Sequence, residues 1–331
     1  MSVRKKILLL LFFLPAMVGG QESTHAFIAP LASKSLLLDI VYHDDHFVAV
    51  GERGHILLSQ DGESWQQVEV PTLATLTAVN FKHASGWAVG HDATILHTED
   101  GGLSWQIQYQ APELEKPLLD VLFFDPQHGI AVGAYGLFLR TQDGGKNWLT
   151  EMHPELLNPD DVDYMQELKQ EDEAFYLQEL QSILPNLNRV SFDGTTLYLA
   201  GEAGLLAQSS DFGASWQRME IDYIGSFFDI HKSASGRLLA AGLRGNLFEY
   251  QQGEWAAIET NTTFTFNSIV ALNADTTLIM GNNGAMQTLQ GQQLEFNQAD
   301  DGKALINGVV RDGHIIAVSE VGVKKWSVKG N

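Results

Sequence analysis

The chain has 331 residues, no cysteine, and 41 Asp and Glu against 20 Lys and Arg, for a formal net charge of −21. Without cysteine there are no disulfides, thiolate metal sites or cysteine nucleophiles, and the acidic balance argues against nucleic acid and anionic lipid as partners. A composition that is 44% hydrophobic, with 31 Gly, 7 Trp and 17 Phe, fits a large core rich in turns and excludes a disordered chain.

Residues 1–20 read as a secretory leader. Arg4, Lys5 and Lys6 precede an apolar run from Ile7 to Val18, and Val18-Gly19-Gly20 offers small residues before Gln21. The run is shorter than the roughly 18 apolar residues that suggest a membrane span, and no later segment approaches that length. A soluble exported protein, periplasmic and not embedded in the membrane, is expected.

From Ala49 onward a small-residue step recurs seven times. It reads Ala49-Val50-Gly51, Ala88-Val89-Gly90, Ala131-Val132-Gly133, Leu199-Ala200-Gly201, Ala240-Ala241-Gly242, Ile279-Met280-Gly281 and Ala317-Val318-Ser319. The spacings are 39, 43, 68, 41, 39 and 38 residues, so one interval holds an insert. Seven repeats of about 40 residues predict an all-β, seven-bladed β-propeller whose blades are four-stranded antiparallel sheets. The third unit shows the frame: strands at residues 120–124, 129–133, 136–141 and 148–152.

Four units carry Ser/Thr-x-Asp-x-Gly-x-x-Trp between their third and fourth strands. These are Asp61 with Trp65 (one residue shorter), Asp100 with Trp105, Asp143 with Trp148, and Asp211 with Trp216. Asp closes a tight turn on backbone N–H groups, Gly supplies a positive φ, and Trp opens the next strand while burying a large face. They read as structural turn staples, and the spacing of a calcium loop is absent.

Between the third and fourth units, Pro154 to Pro185 breaks the β pattern, with helix expected over residues 155–184. Asn158 suits a cap and Pro159 a first helical position. Val162, Met165, Leu168, Phe175, Leu177, Leu180 and Leu184 recur at roughly helical spacing. This acidic insert is read as one or two amphipathic helices. The seventh unit ends after three strands, and residues 24–31 are expected to close the ring as its missing outer strand. Residues 21–331 then form one domain.

The repeated phrase resembles the Asp-box (BNR) of Asp-box β-propellers. The longer unit from Leu119 through His128-Gly129-Ile130 to Gly136-Leu137-Phe138 and Asp143-Gly144-Gly145 is similar to the photosystem II stability and assembly-factor family. That resemblance implies a non-catalytic scaffold that binds proteins and helps assemble or stabilise a membrane or envelope complex. A bacterial branch of the family without photosystems fits this chain. Photosynthetic members carry an arginine-rich patch, for which Arg53, Arg244 and Arg189 are the candidates here.

Two rings of candidate residues follow from the repeat. Turns between second and third strands place Glu52, Arg53, His91, Asp92, Tyr135, Glu202, Arg244, Asn282, Asn283 and Glu320 on one rim, with Arg189 nearby, as a partner-binding surface on a rigid scaffold. Asp39, Thr77, Asp120, Asn188, Asp229, Asn267 and Asn307 mark the starts of the innermost strands. They either line the channel mouth and hold water or a cation, or bond to neighbouring backbone and keep blades in register. Histidines at first hairpins, among them His43, His46, His83 and His128, read as solvated turn residues.

An enzyme is not expected. Sialidases share the Asp-box, but they need three clamping arginines and an Arg-Ile-Pro phrase, and this chain has eight arginines and no such phrase. A glycosidase using Glu52, Asp92, Glu202 or Glu320, or a small-ligand receptor at the channel mouth, is the alternative. No catalytic residue, cofactor or metal is assigned, and the protein is expected to act as a monomer.

Overall fold

The computed structural model describes residues 25–328. Residues 1–24, which include the expected leader and Thr24 of the expected closing strand, and residues 329–331 lie outside them. Seven antiparallel sheets, each wound from an inner to an outer strand in chain order, form a seven-bladed propeller. The inner strands are Leu37–His43, Leu76–Lys82, Leu118–Phe123, Leu187–Phe192, Phe227–Lys232, Phe266–Ala271 and Leu305–Arg311. Among the described residues, six sheets have four strands and the seventh has three.

The recurring small-residue step is the second strand of each blade. His46–Gly51 and its equivalents are buried along nearly their whole length, because a neighbouring blade covers each face of the sheet. Two covered faces explain a continuous apolar run in place of strict alternation. The terminal glycine has a separate cause. Its φ is extended, but a Cβ on Gly51 would stand 2.2 Å from the Leu36 carbonyl oxygen, and one on Gly90 2.0 Å from that of Thr75. The inner strand passes too close for any side chain.

Cores form between blades. Trp87 of the second blade stacks on Phe123 of the third, with ring centroids 3.4 Å apart, and both are fully buried. The first and last blades share a core too: Leu37, Ile40 and Phe47 pack with Ile316 and Val318. Lys325 adds a bond to the Asp61 carbonyl oxygen at 3.0 Å and an ion pair with Glu63 at 2.7 Å. The ring is shut.

It is not shut by the strand expected at residues 24–31. The Ala26 N–H donates to Val70 O at 2.9 Å, beside the outer edge of the first blade. The Gln67 side chain holds the same segment, accepting from Ala29 N and donating to Phe27 O, each at 2.7 Å. A side-chain amide offers both a donor and an acceptor, so it captures extended backbone without a ladder. The segment then makes a 3-10 turn, Ala32–Lys34, against the last strand at Gly322.

The insert forms two helices, α1 (Val162–Glu171) and α2 (Glu173–Ile183). The Asn158 side chain accepts from Asp160 N at 3.2 Å ahead of α1, and Asp172 accepts from Phe175 N at 3.0 Å as the N-cap of α2. That second cap resets the helical phase. Met165, Leu168, Tyr176, Leu180 and Leu184 therefore pack on Leu187, Val190 and Leu205 of the propeller, while Phe175 and Leu177 face solvent. Lys116 donates to Gln181 O at 2.6 Å in the last turn of α2, where a cation complements the helix dipole.

Candidate functional site

Antiparallel alternation puts the turns between second and third strands, the links between blades and the starts of inner strands on one face. The Asp-box turns lie on the other.

On the Asp-box face the carboxylates are committed to their turns. Asp100 accepts from Ser104 N at 2.9 Å, from Ser104 Oγ at 2.6 Å and from Thr98 Oγ1 at 2.7 Å, while Thr98 Oγ1 accepts from Gly102 N. Asp61, Asp143 and Asp211 repeat this pattern. The hydrogen bonds from Ser209 and Ser215 hold Asp211 down at about 2. Trp105 and Trp216 are buried, whereas Trp65 and Trp148 are only half-buried. His43 stacks on Phe81 at 4.6 Å and lies 6.3 Å from His46. Among the described residues no group of three His, Cys, Asp or Glu could hold a metal ion.

On the opposite face five of the seven turns are short 3-10 turns, and within the turns two residues take distinct roles. The first residue is clamped to its own inner strand: Glu52 N donates to Leu36 O, His91 N to Thr75 O, Glu202 N to Asn186 O, Asn282 N to Thr265 O and Glu320 N to Ala304 O. The Glu52, Glu202 and Glu320 carboxylates turn back as well, accepting from Leu36 N, Asn186 N and Ala304 N at 3.3–3.4 Å. The second residue stands exposed with a left-handed backbone. Arg53, Asp92, Tyr135, Arg244 and Asn283 all have φ between 51 and 58°. Side chains other than glycine pay to adopt that conformation, so each is displayed from a stiff base. Tyr135 also receives Lys116 over its ring at 5.6 Å.

Arg189 does not join that rim. It follows the bulge in the fourth inner strand and lies among buried carboxylates, with Nη1 3.4 Å from Asp120 and Nε 3.8 Å from Asp229.

The seven channel residues also divide. Every inner strand has a register shift near its start. Asp39, Asp120, Asp229 and Asn307 follow the bulge, whereas Thr77, Asn188 and Asn267 sit in it. The two positions bond to the next blade with opposite polarity. Asp39 accepts from Val79 N at 2.9 Å, Asp120 from Val190 N at 2.8 Å and Asp229 from Ile269 N at 2.7 Å. Thr77 donates to Leu118 O at 2.8 Å, Asn188 to Phe227 O at 2.7 Å and Asn267 to Leu305 O at 2.8 Å. Acceptor and donor staples thus alternate around the ring. Seven is odd, so the alternation cannot close on itself, and at the seam Asn307 donates to Asp39 instead. Register-keeping bonds account for these residues; nothing in the sequence showed the bulge that sorts them.

Burial pushes the Asp39 carboxyl up and Asp120 up to about 6, with Arg189 pulling both back. A carboxyl whose pKa is raised on folding gives stability at low pH that is lost as pH rises from its unfolded value, near 4, through its folded value. The wild type should therefore lose stability between about pH 4 and 6 from this group. The component should shrink in Asp120→Asn, read from urea midpoints across that range; an unchanged pH slope would count against it.

No helix among the described residues is long and apolar enough to cross a membrane. The family model for the photosynthesis system II assembly factor YCF48 matches residues 22–109 and 107–224. A curated photosystem II assembly protein Ycf48 from Synechococcus sp. (strain JA-2-3B'a(2-13)) is 48% identical over 54 residues, 15% of this chain and 16% of that protein. The chain thus aligns with about one sixth of that relative's length. A solved structure of YCF48 bound to D1 peptide superposes with a TM-score of 0.68 at 16% identity, covering 91% of this chain and 95% of the other. YCF48 from Cyanidioschyzon merolae gives 0.67 at 16% identity, covering 93% and 100%. At that identity the superpositions speak for the fold. The family model, which spans more than half of the chain and the repeats that build it, decides the membership: this chain belongs to the photosynthesis system II assembly factor YCF48 family.

Proposed function

We propose that this protein is an exported, non-catalytic scaffold that binds a protein through the rim of second-to-third-strand turns and assists assembly or stability of a membrane or envelope complex. The observation that carries this reading is the division of labour in those turns. One residue is pinned to the blade, and the next, among them Arg53, Asp92, Tyr135, Arg244 and Asn283, is held out to solvent. A preorganised rim of varied side chains suits recognition, because little entropy is lost when a partner docks. A YCF48 relative holding a D1 peptide supports a peptide or protein as the partner class. The leader expected at residues 1–20 supports export. A glycosidase finds less support, since Glu52, Glu202 and Glu320 each spend a carboxylate oxygen on backbone N–H groups.

Tagged protein returned to gently solubilised membranes of its source should retain a defined membrane partner. Arg53→Glu combined with Arg244→Glu should keep the melting temperature and lower the recovery roughly tenfold, the effect expected when charges at a recognition rim are reversed. Equal recovery with the double variant would remove these arginines from the site, and no partner for the wild type would sink the scaffold reading.

A further inference from the structure

Among the described residues, the seventh sheet ends at the strand Gly322–Ser327, where each other blade has a fourth strand outside the third. We propose that this free edge accepts an extended acidic segment of a partner protein as the missing fourth strand; the proposal rests on the protein-binding reading and adds a second site to it.

Ladder geometry supplies the first argument. Val328 N donates to Gly313 O at 2.8 Å, and Ser327 pairs with His314, Trp326 with Ile315 and Lys325 with Ile316. In an antiparallel pair, successive residues point their backbone groups to alternate sides. Gly322, Lys324 and Trp326 therefore bond inward, and Val323, Lys325 and Ser327 aim their N–H and C=O groups off the outer edge. The turn Ala32–Lys34 covers the Gly322 end, where a Cβ would meet Ser33 O at 2.0 Å. The open stretch runs from Val323 to Ser327. The strand is braced on both sides, since Val323 packs with the first blade and Trp326 with Met286 and Leu278 of the sixth. A strand docking there would meet an ordered template.

Charge supplies the second. In a chain of net charge −21, residues 303–329 hold Lys303, Arg311, Lys324, Lys325 and Lys329 against Asp312 and Glu320. Lys324 and Lys325 stand on the free strand itself, paired with Asp301 and Glu63 of the flanking blades. Lysines on an edge repel the same edge of a second copy, which would bring lysine against lysine, and they favour a segment rich in acid. Phe27, Ile28 and Leu31, in the segment leading to the covering turn, are 74, 60 and 64% exposed. Strand addition of this kind draws affinity from main-chain bonds and selectivity from side chains on alternate positions.

The probe is a fluorescent peptide, Glu-Leu-Glu-Phe-Asp-Glu, which copies the sixth blade's outer strand Gln293–Gln298 with its amides changed to acids. Saturable binding to the full protein is expected in an anisotropy titration. Methylating the peptide nitrogens at one alternate set of positions should weaken it at least roughly tenfold, and methylating the other set should not. Lys325→Pro removes one outward N–H at an edge position where proline is tolerated, and should weaken binding by roughly the same factor, well beyond the smaller loss expected from Lys325→Ala, which removes the charge but keeps the N–H. If Lys325→Pro fails to fold, the methylated peptides decide on wild-type protein alone. Absent binding at about millimolar peptide, a weak-affinity limit, or equal loss from both methylated sets, overturns strand addition. Membrane-partner capture keeps the two readings apart. Capture without peptide binding sinks only the edge site; peptide binding with alternate-set dependence but no captured partner sinks the scaffold reading and keeps the edge.

Discussion

Arg189→Met is expected to destabilise the protein by roughly 3–5 kcal/mol at pH 8, the scale of an uncompensated buried charge. Arg189 is the cation among Asp39, Asp120 and Asp229, all of them at least nine-tenths buried. Each of those carboxylates also accepts backbone N–H groups that tie one blade to the next. Losing the guanidinium leaves three negative charges facing one another at the axis of the ring. The deficit should depend on pH. Without Arg189 the Asp39 and Asp120 carboxyls hold their protons to still higher pH, so at pH 5 they can neutralise and the cost should fall. Urea unfolding of wild type and variant at pH 5 and pH 8 checks this. An equal deficit at both values would mean that packing, not charge, is what Arg189 contributes.

Trp87→Ala should cost a similar roughly 3–5 kcal/mol for a different reason, a cavity between two blades. The indole is fully buried, stacked on Phe123 at 3.4 Å and on His97 at 5.1 Å. Neither blade can move in to fill the space, because each is held by its own ladder. Trp148→Ala is the internal comparison. It removes the same side chain from an Asp-box where the ring is only half-buried, and should cost less than half as much. Equal losses in the two variants would show that burial in this structure does not set the energetic order of the tryptophans.

These positions also show what the sequence made readable. The turn chemistry around Asp143 and Trp148 was legible in the repeated phrase, whereas the stacking of Trp87 on the neighbouring blade was not. Arg189 was placed near the rim, because its position relative to the turns is what a linear repeat reveals. Its true setting depends on a bulge of one residue, which leaves no mark in a short apolar strand. The same bulge separates Asp39, Asp120, Asp229 and Asn307 from Thr77, Asn188 and Asn267. Among the rim residues, the Gly-x-x-Gly frame located the turns. It did not tell the clamped Glu52 and Glu202 from the displayed Arg53 and Arg244, since the clamp is a bond to an inner strand about 15 residues away in sequence, a spacing common in hairpin-built folds.

Local chemistry by itself determined the seven sheets, the Asp-box turns and the interruption at residues 154–185. Each is set by residues within one repeat, where strand period, turn glycines and caps act over a few positions. Tertiary packing alone decided how the wheel is sealed, which polar groups alternate around its axis and that the final sheet has three strands among the described residues. Those outcomes follow from contacts between the two ends of the chain and between neighbouring blades. Gln67 capturing residues 27–29 is the plainest case: one side-chain amide, far along the sequence, redirected the segment that the repeat pattern had assigned to the last blade.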